Sequence, residues 1–361
     1  MRLRFFLISA FFFFYFALIG VYVIFLPKML QTIGYTPAQI GFIFSIAPLM
    51  RFITPFFFLK HFHLSRNVLM LALLFMLTAI PLFYTTITNV WLFAASNVVF
   101  GISSGLTLPY IETYALERLG KSHYGKSRLF GSIGFIFVAL VLARLLSDYR
   151  MGLHFAAVTI LFSVLFAWRI AQDRAHFQNQ KSDTRHDFDL LAHLPLWSSI
   201  FLMQVSFGAF YSFFTIYETA HGIALETVSY LWTFGVVCEI ALFYIQGRFL
   251  RHDLARVIRV TLVATVVRWL LLFAFPQTLW ILYLSQSLHA LSFALYHSAT
   301  LTYLTRLYHD QKKLAAQFYY GFGFGLGGFV GSLIAGYLYG PWLFLSSALI
   351  AALALLVFIN I

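Results

Sequence analysis

The sequence predicts an all-α integral membrane protein: twelve transmembrane helices in two parallel-duplicated six-helix bundles, with both termini in the cytoplasm. Three observations predict it. Of 361 residues, 61% are hydrophobic and 10% charged, whereas a soluble domain carries about 25% charged residues. The apolar runs recur at about the 20 residues that a span needs. With an even number of spans, nineteen Lys and Arg fall on the side of the termini and three, Lys28, Arg144 and Arg150, on the other. Positive charge gathers on the cytoplasmic side in this way, and one miscounted helix would scramble the bias.

The first segment, 5–30, follows Arg2 and Arg4 and resembles a signal peptide at its start. Its apolar run is long and no small-residue cleavage site is apparent, so it reads as an uncleaved span. Segments 38–59, 67–86 and 90–116 follow, punctuated by GYTPAQ and TTITN, turns rich in Gly, Pro, Asn and Thr. Segments 125–146 and 152–172 complete an N-terminal bundle, 1–172. The one long polar stretch, AQDRAHFQNQKSDTRHDFDLLAHLP from Ala171, supplies a cytoplasmic linker at 173–194. The C-terminal bundle, 195–361, holds segments 195–219, 225–248, 256–275, 277–306, 312–338 and 341–360, with FPQT and YGP as turns.

The halves repeat. LQTIGYTPAQIGFIFSI, from Leu30, aligns with ETAHGIALETVSYLWTF, from Glu218, at an offset of 188, and Gly34 falls on Gly222. At an offset of 189, Trp91 meets Trp280, Asn97 meets Gln286, and Tyr114 meets Tyr303. A duplication of this kind places a substrate near the bilayer midplane between halves that rock to alternate access.

Composition excludes other classes. The net charge of +12 is the by-product of many short inner loops, so nucleic acid is not a partner. The single Cys238 leaves no disulfide framework and no cysteine zinc site. No nucleophile–base set marks an enzyme, and no phosphate loop drives transport with ATP. No cofactor is implied. The partners expected from these features are the lipid bilayer and a small-molecule solute.

Ionisable residues are costly in lipid and tend to face a bundle interior or cavity. Arg51, Glu112, Glu218, Glu239 and Arg268 lie within spans. In 285–304, Ser285, His289, Ser292, Tyr296, Thr300 and Tyr303 form one polar stripe at helical spacing. His289 is a candidate for coupling or substrate contact, or else a neutral packing residue; its ordinary titration near pH 6.5 suits the first role. His297, eight residues on, makes no metal pair with it, and no metal site is expected. A mid-span carboxyl such as Glu239 is costly to ionise unless paired. Arg268 stays charged and pairs with an acid or an anionic substrate. Arg268 and Glu239 are expected to lie close and exchange partners, or else to form a permanent ion pair. Arg51 and Glu239 occupy equivalent places, at an offset of 188, and are expected to face one cavity. Glu112 is expected to pair with Arg51 or Arg128. Glu218, near the outer end of its span, reads as a solvated carboxylate with a possible gate contact. Gln286, His297, Ser292 and Tyr296 complete the candidate cavity with Arg51 and Glu112. The glycines of GFGFGLGGFVGSLIAG, from Gly321, let helices pack closely and suit a helix that slides or tilts at the interface between halves. No aromatic box can be inferred from the abundance of Phe and Tyr.

At HYGKSRLFGSIGFI, residues 123 to 136, the chain resembles the phenylpropionate-permease branch of the major facilitator superfamily. LWTFGVVCEIALF and the 285–304 stretch resemble the same branch, which lies near the oligosaccharide:proton symporters such as lactose permease and the nucleoside:proton symporters. Tyr124, Gly125, Arg128, Gly131 and Gly134 carry the signature. The resemblance implies the major facilitator fold, a bacterial inner-membrane location, proton-coupled uptake by rocker-switch alternating access, and function as a monomer. It matches Glu239 to a span-eight Glu that contacts sugar, Arg268 to a span-nine Arg of the proton-coupling set, His289 to a span-ten His and Glu112 to a span-four Glu, and it makes Glu239, His289 and Arg268 the proton-coupling candidates. Two departures matter. Ser292 stands where lactose permease has its proton-carrying Glu, and the sugar-binding span-five Arg is absent. Lactose is therefore a poor fit, and a small carboxylate, aromatic or otherwise, is favoured. A nucleoside or sugar symporter comes next, then a proton-driven exporter, and from a different class a non-transporting membrane sensor or scaffold.

Overall fold

A computed structural model describes residues 2–61, 65–173, 190–251 and 253–359, and it is helical nearly throughout, without strands among the described residues. A chain immersed in hydrocarbon must satisfy its backbone internally, and helices do so within one segment. The chain divides into two compact units, Met1–Thr184 and Arg185–Ile361.

In the first unit, α1 (Arg2–Thr32) contains a π turn at Val21–Phe25. It is followed by α2 (Pro37–His61), α3 (Arg66–Thr86), α4 (Val90–Gly120), α5 (His123–Leu145) and α6 (Tyr149–Ile170). Side-chain oxygens of Ser65, Asn89 and Asp148 accept from the first free N–H groups of α3, α4 and α6, the groups that a helix start leaves orphaned. Between α4 and α5 the chain turns at Gly120, whose φ of 71° is cheap for glycine.

The second unit runs through α7 (Leu191–Ala220), α8 (Leu225–Arg251), α9 (Leu254–Ala274), α10, α11 (Leu314–Tyr337) and α12 (Leu343–Ile359). Helix α10 starts at Leu279–His289, widens into a π segment at Ala290–Leu295 and ends as Tyr296–Leu307. Helix α11 carries a longer π stretch, Tyr319–Gly327.

Ten helices are long and apolar enough to cross a membrane among the described residues, against an expectation of twelve. The two missing from that class are α10, whose polar stripe dilutes its apolarity, and α12, which is 17 residues long. The expected linker falls mostly on 174–189, outside the described residues; its last residues already form a short helical turn, Leu191–His193, entering α7.

The repeat is visible in local geometry. Gly34 and Gly222 end α1 and α7 with φ of 95° and 88°. In each turn a backbone N–H reaches back to the same place, Tyr35 N to Leu30 O at 3.0 Å and Ile223 N to Glu218 O at 3.1 Å. A positive-φ glycine with such a bond is the usual close of a helix.

Candidate functional site

In the second unit the predicted polar residues converge on Arg268. This side chain, from the middle of α9, is 0% exposed. Its Nη1 donates to Ser292 Oγ and its Nη2 to Gln286 Oε1, both at 3.3 Å. Its Nε has no partner. Aromatic faces surround the guanidinium, with Phe210 at 4.1 Å, Trp269 at 4.5 Å and Phe207 at 5.7 Å from its central carbon. Such faces attract a cation and shed little water on doing so.

The helices place these groups for identifiable reasons. Ser285 Oγ donates to the carbonyl of Arg268 at 3.3 Å and ties α10 to α9. Gly235 of α8 leaves room for Gln286, since a Cβ there would lie 3.3 Å from Gln286 Oε1. Trp269 Nε1 donates to Ser206 Oγ at 3.3 Å and holds the indole beneath the guanidinium. The π turn begins at Ala290, between His289 and Ser292; such bulges recur at functional sites. All of Ser285, His289, Ser292, Tyr296 and Thr300 are buried, as the polar stripe requires.

Arg268 and Glu239 do not pair directly, which goes against a permanent ion pair between them. The partners of Arg268 are neutral, and His289 is the group that meets the carboxylate: His289 Nε2 lies 3.8 Å from Glu239 Oε2. The imidazole stacks on Phe293 at 5.1 Å and packs against Phe210 at 5.6 Å, and its Nδ1 has no partner. Gln286 Nε2 likewise has none. Two buried donor nitrogens, Arg268 Nε and Gln286 Nε2, are thus left without acceptors in one region. Buried polar groups are normally satisfied, so this set can receive the acceptor oxygens of a ligand.

The first unit contains the uncharged counterpart. By the same offsets, Tyr22, Phe44, Asn97 and Phe100 correspond to Phe210, Trp232, Gln286 and His289. Tyr22 packs on Phe44 at 5.0 Å and on Phe100 at 5.5 Å, as Phe210 packs on Trp232 at 4.4 Å and on His289 at 5.6 Å. Tyr22 Oη donates to Asn97 Oδ1 at 2.8 Å where the other half has Arg268 and Gln286.

The remaining candidates have their own surroundings within each unit. Glu112 pairs with Arg128 at 3.3 Å, not with Arg51. Arg51 is exposed on α2. The signature residues knit α1 to α4 and α5. The guanidinium of Arg128 sits 3.8 Å over Phe16, Tyr124 meets Phe12 edge-on at 6.3 Å, and Gly134 lets α5 touch the carbonyl of Phe13. Gly131 leaves space for Phe16 and Arg128, whereas Gly125 faces open space. His297 lies outside the Arg268 cluster. Its Nδ1 bonds Tyr319 at 3.3 Å and its Nε2 bonds Tyr320 at 3.2 Å, joining α10 to α11. Glu218, expected to be solvated, is 0% exposed and neither carboxyl oxygen has a hydrogen bond. Among the described residues no group of three or more His, Cys, Asp or Glu is placed to hold a metal.

Sequence reasoning missed Phe207, Phe210, Trp269 and Gly235. The only available signal was the offset relating Tyr22 to Phe210.

The MFS_1 like family model matches residues 5–346. The chain is 27% identical over 307 residues to the "Probable 3-phenylpropionic acid transporter" of Escherichia coli (strain K12), covering 81% of this chain and 80% of that one. It is 25% identical over 315 residues to the maltose permease of Geobacillus stearothermophilus, covering 84% and 80%. Among solved structures it is similar to the nucleoside transporter NupG, with a TM-score of 0.81 and 18% identity over 100% of this chain and 99% of that one.

Proposed function

The chain belongs to the MFS_1 like family of membrane transporters, and on that premise we propose that it carries a small aromatic carboxylate across the bacterial inner membrane in symport with a proton. It works as a monomer of twelve spans with both termini in the cytoplasm, by rocker-switch alternating access.

One observation carries the substrate class. Arg268 is a permanent cation buried among aromatic rings, with neutral partners and an unpartnered Nε. Burying a charge is strongly disfavoured unless it is paired, and a substrate carboxylate supplies the missing anion. Gln286 Nε2 adds a donor at the same place. The rings of Phe207, Phe210 and Trp269 suit a flat apolar body attached to that carboxylate. The E. coli relative named for 3-phenylpropionic acid, an aromatic carboxylate, supports this choice. His289 and Glu239, 3.8 Å apart, provide a base and a counter-ion beside the anion. A proton arriving there offsets the charge that the substrate brings.

The test is uptake into proteoliposomes under an imposed pH gradient, with labelled aromatic carboxylates, nucleosides and sugars offered in parallel. An aromatic carboxylate should accumulate with proton entry, and Arg268→Gln should abolish it. Preferential uptake of a nucleoside or sugar, unaffected by Arg268→Gln, would overturn the proposal.

A further inference from the structure

Glu218 lies outside the Arg268 cluster and takes no part in the mechanism above. It sits in the last turn of α7, before the glycine turn at Gly222. Its side chain is fully buried, and both oxygens lack a hydrogen bond. The ionisable groups around this end are few. On α7 itself are Tyr211, Tyr217 and His221; His221 Nδ1 is engaged by the carbonyl of Tyr217 at 2.8 Å. On α8 are Glu226 and Tyr230, which bond each other. Tyr337 and Tyr339 lie at the end of α11, and α12 has no ionisable residue. Every Lys and Arg of 190–361 except Arg268 lies toward the opposite ends of the helices. Among the described residues no cation neutralises Glu218, and a buried ionised carboxyl without a partner is strongly disfavoured.

The surroundings also connect this residue to the site. Tyr211, Thr215 and Glu218 are spaced by four and three and so share one face of α7. Thr215 accepts from Trp232 Nε1 at 3.2 Å, and Tyr211 stacks on Trp232 at 6.4 Å and on Phe207 at 5.8 Å. Phe207 in turn lies under Arg268. Since α7 and α8 run antiparallel, the Thr215–Trp232 bond brings Ser229, one turn back on α8, to the level of Glu218. Ser229 Oγ is also buried and unpartnered.

We propose that Glu218 is a proton-binding site whose occupancy is required for this end of the second unit to close. When the end opens to water the carboxylate is hydrated and ionised. Taking a proton from water forms the O–H bond, removes the charge, and permits the packed arrangement described here. Loss of the proton to water favours reopening. The inference rests on the alternating-access reading and adds to it a second proton site, distinct from His289 and Glu239.

Hydrogen–deuterium exchange of residues 215–228 in the purified protein, corrected for intrinsic rates, tests it from acidic to mildly alkaline pH. In the wild type, opening should rise with pH by up to about tenfold per pH unit, the slope for one linked proton. In Glu218→Gln, which stays neutral, it should be slow and flat, with solute counterflow reduced because the end no longer opens readily. A pH-independent wild type overturns the proposal, as does a Glu218→Gln variant that keeps the wild-type slope. If the variant does not fold, the wild-type slope still decides. A wild type that opens with pH but shows no proton-driven uptake would overturn the symport reading and leave this one standing.

Discussion

Gln286 gives its amide oxygen to Arg268 at 3.3 Å, while the amide nitrogen of the same side chain has no acceptor. The amide therefore satisfies the guanidinium without neutralising it.

Replacing that amide by a carboxylate tests the consequence. Gln286→Glu should place an internal anion on Arg268 and compete with the substrate. Hydrogen bonds to charged groups contribute about 1.5–3 kcal/mol, so apparent affinity for a carboxylate should fall roughly 10- to 100-fold, while the melting temperature rises. Unchanged uptake would remove Arg268 from the binding site.

Arg268→Lys keeps the charge and loses the planar fork. An ammonium cannot reach Ser292 and Gln286 together while lying flat against Phe210 and Trp269. Desolvated cation–π contacts contribute about 2 kcal/mol, so carboxylate binding should weaken by roughly 30-fold. Direct binding to the purified variant, with thermal unfolding alongside, would show whether the two cations are interchangeable.

His289→Phe restores the residue type that the first unit carries at Phe100. The ring should keep its contacts with Phe210 and Phe293, so folding is preserved and the melting temperature stays within a few degrees. Proton-driven accumulation should be lost while counterflow survives. A variant that accumulates like the wild type would reduce His289 to a packing residue.

Gly134→Ala and Gly125→Ala should behave oppositely. A Cβ at Gly134 would lie 2.0 Å from the carbonyl oxygen of Phe13, whereas one at Gly125 meets nothing within 4 Å. Overpacking of this kind costs about 1–3 kcal/mol, so Gly134→Ala should melt clearly lower and Gly125→Ala near the wild type. Equal melting temperatures would mean that α1 and α5 can separate at no cost.

Much of this architecture was legible before the coordinates. Composition and the lengths of the apolar runs gave the helical class, and the offset of 188 found the matching turns at Gly34 and Gly222. Burial of the polar stripe followed from the cost of hydroxyls in lipid. Less local features escaped. The aromatic ring around Arg268 was hidden because 20% of the chain is aromatic and abundance carries no geometry. A permanent Arg268–Glu239 ion pair is absent, and spacing cannot tell that an imidazole from α10 meets the carboxylate. Glu218 was read as solvated from its place near a helix end, although its helix is buried there on all sides.

The glycines impose a mechanical limit. In the first unit Gly134 brings the backbone of α5 against Phe13 of α1; in the second, Gly208 of α7 and Gly331 of α11 meet backbone to backbone. The first and fifth helices of each unit thus approach to backbone contact at one point. With no side chain between the two backbones, each contact is a smooth seam, and a Cβ added at any of these glycines would wedge the pair apart before any stroke that uncovers Arg268 could begin.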